Sequence, residues 1–144
     1  MALKRPQRLA ASTPRGERLT PEHLSEVGQF YSEAYPGNWF EPRMLHSGQY
    51  FGIREEGKLV SVAGVHVYAP SQGVAGLGNI ATHPDYRGRG LGTAVTARLC
   101  ESLLESVETV GLNVVAHNQA AISCYEKLGF VPHAHYEEFQ CSAL

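Results

Sequence analysis

The chain has 144 residues, with 12 basic and 14 acidic side chains and a formal net charge of −2. Its hydrophobic fraction of 43% is typical of one globular domain with a single core. Proteins that bind nucleic acid or anionic membranes obligately are usually strongly basic. The near-neutral charge of this chain therefore suggests neither as an obligate partner. No apolar stretch approaches the length of a membrane span, and we expect a cytoplasmic protein.

Residues 1–16 differ in composition from the rest of the chain. They include four basic side chains and no acidic one: Lys4, Arg5, Arg8 and Arg15. They lack the continuous apolar run of a secretory signal. This composition predicts a basic tail or linker, with the folded domain over 17–144. Contact of the tail with nucleic acid is a weaker alternative, because its charges are widely spaced.

Helix and strand patterns alternate along the rest of the chain. Thr20 and Pro21 are typical of a helix start, and an apolar stripe from Leu24 to Ala34 follows them. A second short helix is predicted from Pro42. The predicted strands are 50–54 and 59–68, joined as a hairpin, then 73–82, 112–116 and 130–140, and the longest predicted helix covers 91–107.

The most informative stretch runs from Tyr86 to Gly92 and reads Tyr-Arg-Gly-Arg-Gly-Leu-Gly. Glycines at this density occur where a backbone bends tightly or approaches a ligand closely. The stretch opens into a predicted helix, whose first N–H groups lack intrahelical partners and lie at the positive end of the helix dipole. Together with Arg87 and Arg89, these amides predict a site for a phosphorylated cofactor.

Two other phosphate-binding patterns do not fit this stretch. A Walker loop requires a Lys-Ser/Thr pair after the glycines, and none follows them. A dinucleotide fingerprint counted from Gly88 fails because Thr93 takes the place of its last glycine. Residues 76–81 do match a Gly-x-Gly-x-x-Ala version of that fingerprint. The fingerprint must open a helix, however, and Pro84 interrupts the chain soon after this match.

A second motif follows the predicted strand at 112–116. Asn118 is a natural helix N-cap and Gly129 a natural C-cap, so one short helix is predicted between them. Ala121 and Tyr125 are four residues apart and therefore share one face of this helix.

With these two motifs the chain resembles the GNAT superfamily of acyl-CoA-dependent N-acyltransferases. The family's Arg/Gln-x-x-Gly-x-Gly/Ala motif is present as Arg87, Gly90 and Gly92, and its Asn-x-x-Ala-x-x-x-Tyr-x-x-x-Gly-Phe motif spans 118–130. The resemblance implies an α/β three-layer fold: a mixed central sheet of about six to seven strands, with helices on both faces and splayed central strands. The chain also resembles the C-terminal domain of tandem GNAT proteins. A second GNAT domain or a homodimer is therefore an open alternative, with residues 1–16 as a connection.

The resemblance implies acetyl-CoA as the acyl donor, with its pantetheine between the splayed strands near 76–82 and 112–117. Backbone amides from Arg87 to Thr93 would hold the pyrophosphate. The implied cofactor-binding residues are Ile80, Ala81, Thr82, Arg87, Gly88, Arg89, Gly90, Leu91, Gly92, Thr93, Asn118, Ala121 and Tyr125. For Arg89, direct contact and full solvation both stay open.

Tyr125 is the predicted catalytic residue. Attack of an amine on a thioester expels a thiolate, and a phenol hydroxyl can hydrogen-bond to that thiolate and supply a proton. The alternative is a tyrosine that only packs on the helix surface.

The general base is not evident from the sequence. Many relatives carry a glutamate where this chain has Asn113, and an amide cannot accept a proton. His66, His117, Glu41 and a water molecule remain as alternatives, since imidazole and carboxylate groups can take up a proton. No third ligand accompanies the spaced pair His133 and His135, and we predict no metal.

An aromatic-rich segment, 31–49, is predicted to set acceptor choice. Its Tyr35, Trp39 and Phe40 either form a pocket wall or anchor the segment to the sheet. The predicted function is acetyl transfer from acetyl-CoA to a primary amine of a small molecule or a protein. A GNAT-like module that binds acyl-CoA as a sensor, without turnover, is the alternative because no base is evident.

Overall fold

Seven strands and three α-helices make up the main elements of residues 1–136, the part of the chain that the computed structural model describes. The strands are β1 (Ala2–Leu3), β2 (Glu17–Arg18), β3 (Phe51–Glu55), β4 (Lys58–Ala69), β5 (Val74–Thr82), β6 (Thr109–Gly111) and β7 (Phe130–Val131). The helices are α1 (Leu24–Ala34), α2 (Leu91–Leu103) and α3 (Gln119–Leu128). The predicted helix at Pro42 is a 3₁₀ helix, Pro42–Ser47.

The strands form one mixed sheet in the order β2-β3-β4-β5-β6-β1-β7. Its neighbours are antiparallel except β5 and β6, which run parallel. The predicted hairpin is confirmed as β3 and β4, with Glu56 and Gly57 at its turn. The structure therefore confirms an α/β fold around a mixed sheet.

Helices cover the central strands. Residues 59–65 of β4 are all buried, which shows that both faces of this strand are covered. Helix α1 packs against β4 and β5, and α2 packs against β3, β4 and β5. Helix α2 packs through an apolar face, since Val95, Leu99 and Leu103 are fully buried. No helix within residues 1–136 has the length and apolar character that crossing a bilayer requires.

The N-terminal segment corrects the expectation of a tail. Ala2 pairs with Gly111 of β6 and with Val131 of β7, so β1 lies inside the sheet. Leu9 is buried as well, at 3% exposure. Backbone pairing of this kind needs no apolar pattern, and the basic composition of the segment therefore gave no sign of it.

Three other predicted elements differ from those observed. The strand expected at 112–116 lies earlier, as β6 (Thr109–Gly111), and the residues after it are irregular up to Asn118. The reason is that β5 and β6 separate beyond Gly111, which removes the ladder partner that a strand requires. The strand expected at 130–140 is shorter, because β7 ends at Val131 and residues 132–136 are irregular, while residues 137–140 lie outside the described part. Helix α2 ends at Leu103, four residues before the predicted end.

Candidate active site

A cleft opens where β5 and the chain after β6 separate. The two strands pair only from Val74 opposite Thr109 to Gly76 opposite Gly111, whereas β5 continues to Thr82 with β4 as its partner. The cleft between them has a volume of about 950 Å³. The predicted splay of the central strands is thus confirmed. Beyond Gly76, this edge of β5 has no strand partner within residues 1–136, so its backbone groups are free to pair with an extended ligand.

Of the two predicted motifs, the second contributes to the walls of this cleft. Asn118, Ala121 and Tyr125 line it on the side of α3, and Ile80 lines it on β5, whereas Ala81, Thr82 and residues 87–93 are not among its described lining residues. Asn113, the residue at the expected glutamate position, also lines the cleft, in the segment after β6. The cleft therefore brings together residues that are more than 30 positions apart in the sequence.

The predicted phosphate loop leads directly into α2. Gly88 and Gly90 have φ angles of +79° and +76°, and a Cβ atom on either would meet no atom within 4 Å. The helix begins with a bond of 3.0 Å from the Ala94 N–H to the Gly90 carbonyl. The amides of residues 91–93 therefore lack partners within the helix, as in known anion sites at helix N-termini.

The two arginines of the loop have different surroundings. Arg87 Nε donates to the Thr82 carbonyl at 3.1 Å, which ties the loop to the end of β5. The Arg89 guanidinium lies over the ring of Tyr86, 5.0 Å from its centroid. Both arginines are exposed. Thr82 is also held through its Oγ1, 2.9 Å from Ser61 Oγ.

His83 anchors the loop, a role that the sequence analysis missed. Its Nδ1 accepts the Asp85 N–H at 3.2 Å, so its proton lies on Nε2. That Nε2 is 3.2 Å from Glu33 Oε2 on α1. Lys58 Nζ is also 3.2 Å from the same carboxylate oxygen. The position of His83 immediately before Pro84 was the feature of the sequence from which this anchoring role could have been predicted.

Tyr125 lies on a helix whose two ends are those predicted. Asn118 Oδ1 accepts the Ala121 N–H at 3.3 Å, and α3 ends at Gly129 with φ +106°. Burial raises the pKa of Tyr125 to about 12. The hydroxyl therefore keeps its proton at neutral pH and is available as a hydrogen-bond donor in the cleft.

The predicted base residues are separated by the structure. His66 lines the cleft, with its ring so close to Gly78 that a Cβ there would lie 2.3 Å from His66 Cγ. Glu41 is exposed and forms an ion pair with Arg43 at 2.7 Å. Among the described residues that line the cleft, neither Glu41 nor His117 occurs. Of the three residues predicted as possible bases, His66 is therefore the one that the fold brings to the cleft.

The aromatic segment divides between wall and anchor. Tyr35 and Trp39 line the cleft and are 48% and 81% exposed. Phe40 instead packs against Tyr31 and Tyr50, with ring centroids 5.1 and 5.7 Å apart. Of the two roles expected from the sequence, Tyr35 and Trp39 thus form the wall and Phe40 anchors the segment.

The chain is similar to known proteins in sequence and in fold. The chain matches the acetyltransferase (GNAT) family over residues 17–130. The ribosomal protein bS18-alanine N-acetyltransferase of Escherichia coli (strain K12) is 41% identical over 81 residues, which are 56% of this chain and 53% of that protein. The mycothiol acetyltransferase of Tsukamurella paurometabola is 33% identical over 106 residues, covering 71% of this chain and 36% of that protein.

A solved structure gives the same assignment. The crystal structure of the ribosomal-protein-S18-alanine N-acetyltransferase from Escherichia coli aligns with a TM-score of 0.67 and 30% identity, over 83% of this chain and 79% of that one. The chain spans about half the length of the curated ribosomal-protein acetyltransferase that it matches. The family match includes the predicted phosphate loop, α3 and Phe130. The chain therefore belongs to the GNAT acetyltransferase family.

Proposed function

We propose that the chain is an N-acetyltransferase that transfers the acetyl group of acetyl-CoA to a primary amine. One observation carries this proposal: Tyr125 lines the same cleft as the unpaired edge of β5, and the end of that strand at Thr82 is bonded to Arg87 of the proposed phosphate loop. The named relatives acetylate a ribosomal protein and mycothiol, which supports both a protein and a small molecule as the acceptor class.

The residues present fit the proposed donor. The edge of β5 from 77 to 80 that has no strand partner suits the two amides of a pantetheine, apart from the Asn79 carbonyl, which accepts the Tyr31 hydroxyl. Ala81 and Thr82 continue the strand toward the loop. The free amides at 91–93 and the open backbone at Gly88 and Gly90 suit a pyrophosphate. Arg87 adds positive charge beside them.

Tyr125 is proposed to stabilise the leaving group. When bound, acetyl-CoA supplies a thioester whose acetyl carbon is attacked by the amine while its C–S bond breaks. Tyr125 then donates a hydrogen bond to the departing sulfur. Its pKa of about 12 lies above the thiol value of roughly 8.5, so full proton transfer is uphill and hydrogen bonding is its main contribution.

His66 is proposed to accept the proton that the amine must lose. It is exposed in the cleft, and its ring lies over Gly78 of β5. Asn113, which also lines the cleft, is proposed to bind the amine or to order a water, and that water is the alternative base. Tyr35 and Trp39 are proposed to hold the acceptor, since an aromatic face attracts an ammonium group.

Calorimetric titration with acetyl-CoA tests the donor site. We expect micromolar binding by the wild-type chain and loss of binding by Gly90→Glu, which puts a carboxylate at the proposed phosphate site. The matched control is Gly57→Glu in the hairpin turn, because Gly57 has φ +77° and open surroundings like Gly90. Absence of wild-type binding, or equal loss in both variants, would overturn the donor site.

Thiol release with a panel of amines then tests turnover. Release above the background rate with one amine supports the transferase, whereas tight binding without release by any amine supports the acyl-CoA sensor. Whether a second GNAT domain or a second copy of the chain is a partner stays a prediction, which the mass of the protein in solution tests.

A further inference from the structure

The β5 strand carries a bulge at the edge of the cleft. Gly64 of β4 lies opposite Gly78, and Val62 lies opposite Ala81. Asn79 and Ile80 of β5 therefore stand against a single residue of β4, which is the pattern of a β-bulge. Asn79 has φ +55°, a conformation that few residues other than glycine adopt, although asparagine tolerates it better than most.

Buried hydrogen bonds hold Asn79 in this conformation. The Tyr31 hydroxyl donates to the Asn79 carbonyl at 2.6 Å. Asn79 Nδ2 donates to the Tyr50 hydroxyl at 3.0 Å, and that hydroxyl donates to the Val65 carbonyl at 3.1 Å. Asn79 itself is only 5% exposed. Both the backbone and the side chain of this residue are therefore fixed from the core.

The same asparagine reaches the acceptor side of the cleft. Asn38 Nδ2 donates to Asn79 Oδ1 at 3.4 Å. Asn38 is next to Trp39, the exposed residue of the cleft wall, and Ile80, which lines the opposite edge, is next to Asn79. One side chain thus connects the donor edge of β5 with the acceptor wall at 35–39.

We propose that Asn79 is a positioning residue, which fixes the distance between the donor edge of β5 and the acceptor wall. This inference rests on the proposed function for its kinetic consequence. A group that holds both reactants in one geometry lowers the entropic part of the barrier, and a loose wall loses that advantage. Asn79 acts through the β5 backbone and Asn38 rather than on the reacting atoms.

Trp39 supplies a direct test, because it is the one tryptophan of the chain. Its fluorescence anisotropy reports the mobility of the acceptor wall without any ligand. We expect Asn79→Gly, which keeps the positive φ but deletes the side chain, to lower the anisotropy by about a third at temperatures well below unfolding. Asn38→Ala, which cuts the same link and leaves the bulge intact, is expected to lower it similarly.

Glu56→Gly is the matched control. Glu56 has φ +53° in the exposed hairpin turn, so its replacement relieves the same backbone conformation without touching this network. Its anisotropy should equal that of the wild type. An unchanged anisotropy in both Asn79→Gly and Asn38→Ala would overturn the proposal and leave Asn79 with a role in stability alone. If Asn79→Gly does not fold, Asn38→Ala decides the question by itself.

Kinetics give the second readout. We expect kcat/KM for the amine to fall about tenfold or more in Asn79→Gly and Asn38→Ala, while the Kd for CoA changes less than about threefold. Unchanged kcat/KM would contradict the positioning role. If the wild-type chain binds acetyl-CoA but acetylates no amine, the proposed transferase fails while the anisotropy still tests the link between Asn79 and the wall.

Discussion

Tyr125 packs edge-on against Phe130, with the two ring centroids 5.9 Å apart, where α3 ends and β7 begins. Phe130 is 1% exposed, so this contact fixes the tyrosine ring from the core while Tyr125 lines the cleft. The contact involves the ring and not the hydroxyl. The contributions of the two parts of the side chain are therefore separable by mutation.

Tyr125→Phe keeps the ring and removes the donor. We expect kcat to fall at least about tenfold, because the departing sulfur loses its hydrogen bond, while the Kd for CoA stays within about twofold. Steady-state kinetics and calorimetry measure the two quantities. Turnover equal to that of the wild type would leave Tyr125 as a packing residue only.

The wild type and Tyr125→Phe should also differ in how their stability changes at high pH. The pKa of Tyr125 is raised from 10.0 to about 12 by burial, so the folded chain holds this proton more tightly than the unfolded chain. The resulting stability is fully present below about pH 10 and is lost as the pH rises toward about 12. Denaturant unfolding should show the advantage of the wild type over Tyr125→Phe shrinking by up to about 2–3 kcal/mol across this range.

Tyr31 and Tyr50 also have pKa values raised by burial, but they are present in both proteins and cancel in the comparison. A difference between wild type and Tyr125→Phe that does not change with pH would show that the hydroxyl of Tyr125 ionises as freely in the folded chain as in the unfolded one.

His66→Gln tests the proposed base. The amide keeps a hydrogen-bonding group in the cleft but cannot take up the amine proton. We expect kcat near neutral pH to fall about 10²-fold. His117→Gln is the control, because His117 is exposed and outside the described lining of the cleft. Similar, small effects of both changes would favour water as the base.

Gly129→Ala tests the docking of the N-terminal segment. A Cβ at Gly129 would lie 2.2 Å from the Arg5 carbonyl oxygen, and its φ is +106°. We expect the substitution to lower the free energy of unfolding by more than about 3 kcal/mol. Gly37→Ala is the control, with φ +79° and open space around it, and should cost only about 1 kcal/mol. Equal costs would mean that residues 1–5 do not lie against α3.

Trp39→Ala and Phe40→Ala separate the acceptor wall from its anchor. Trp39 is 81% exposed, so its loss should leave stability nearly unchanged and raise the KM for the amine about 3- to 10-fold, as expected for a cation–π contact of about 1 kcal/mol. Phe40→Ala should instead lower stability by about 2–3 kcal/mol, since its ring packs against Tyr31 and Tyr50. A loss of stability in Trp39→Ala with an unchanged KM would contradict the proposed role of Trp39 in the acceptor wall.

Features encoded by nearby residues were predicted well from the sequence. The ends of α3 follow from Asn118 and Gly129, because capping depends on side chains within one helical turn. The glycine-rich turn and the start of α2 were likewise predicted, since they are contiguous in the sequence, whereas phosphate binding by this loop stays a prediction. The hairpin of β3 and β4 belongs to the same group.

Features that depend on a distant partner were missed. The pairing of β1 between β6 and β7 depends on backbone groups alone, and no side-chain pattern in 1–16 encodes it. Residues 112–116 are apolar enough to form the strand expected there. They do not form it, because β5 diverges from them and leaves them without a strand partner. Asn79 has no local signal because its bulge arises from the register between β4 and β5.

The position of β1 also has a kinetic consequence. Ala2 pairs with Gly111 and Leu3 with Phe130, so this end of the sheet closes only when the two ends of the described chain meet. Such loops carry the largest closure entropy, whereas the β3–β4 hairpin closes locally. We expect the hairpin to form early and the end of the sheet beside the cleft to form after the folding transition state. Mutations in β1 should therefore accelerate unfolding and leave the folding rate almost unchanged.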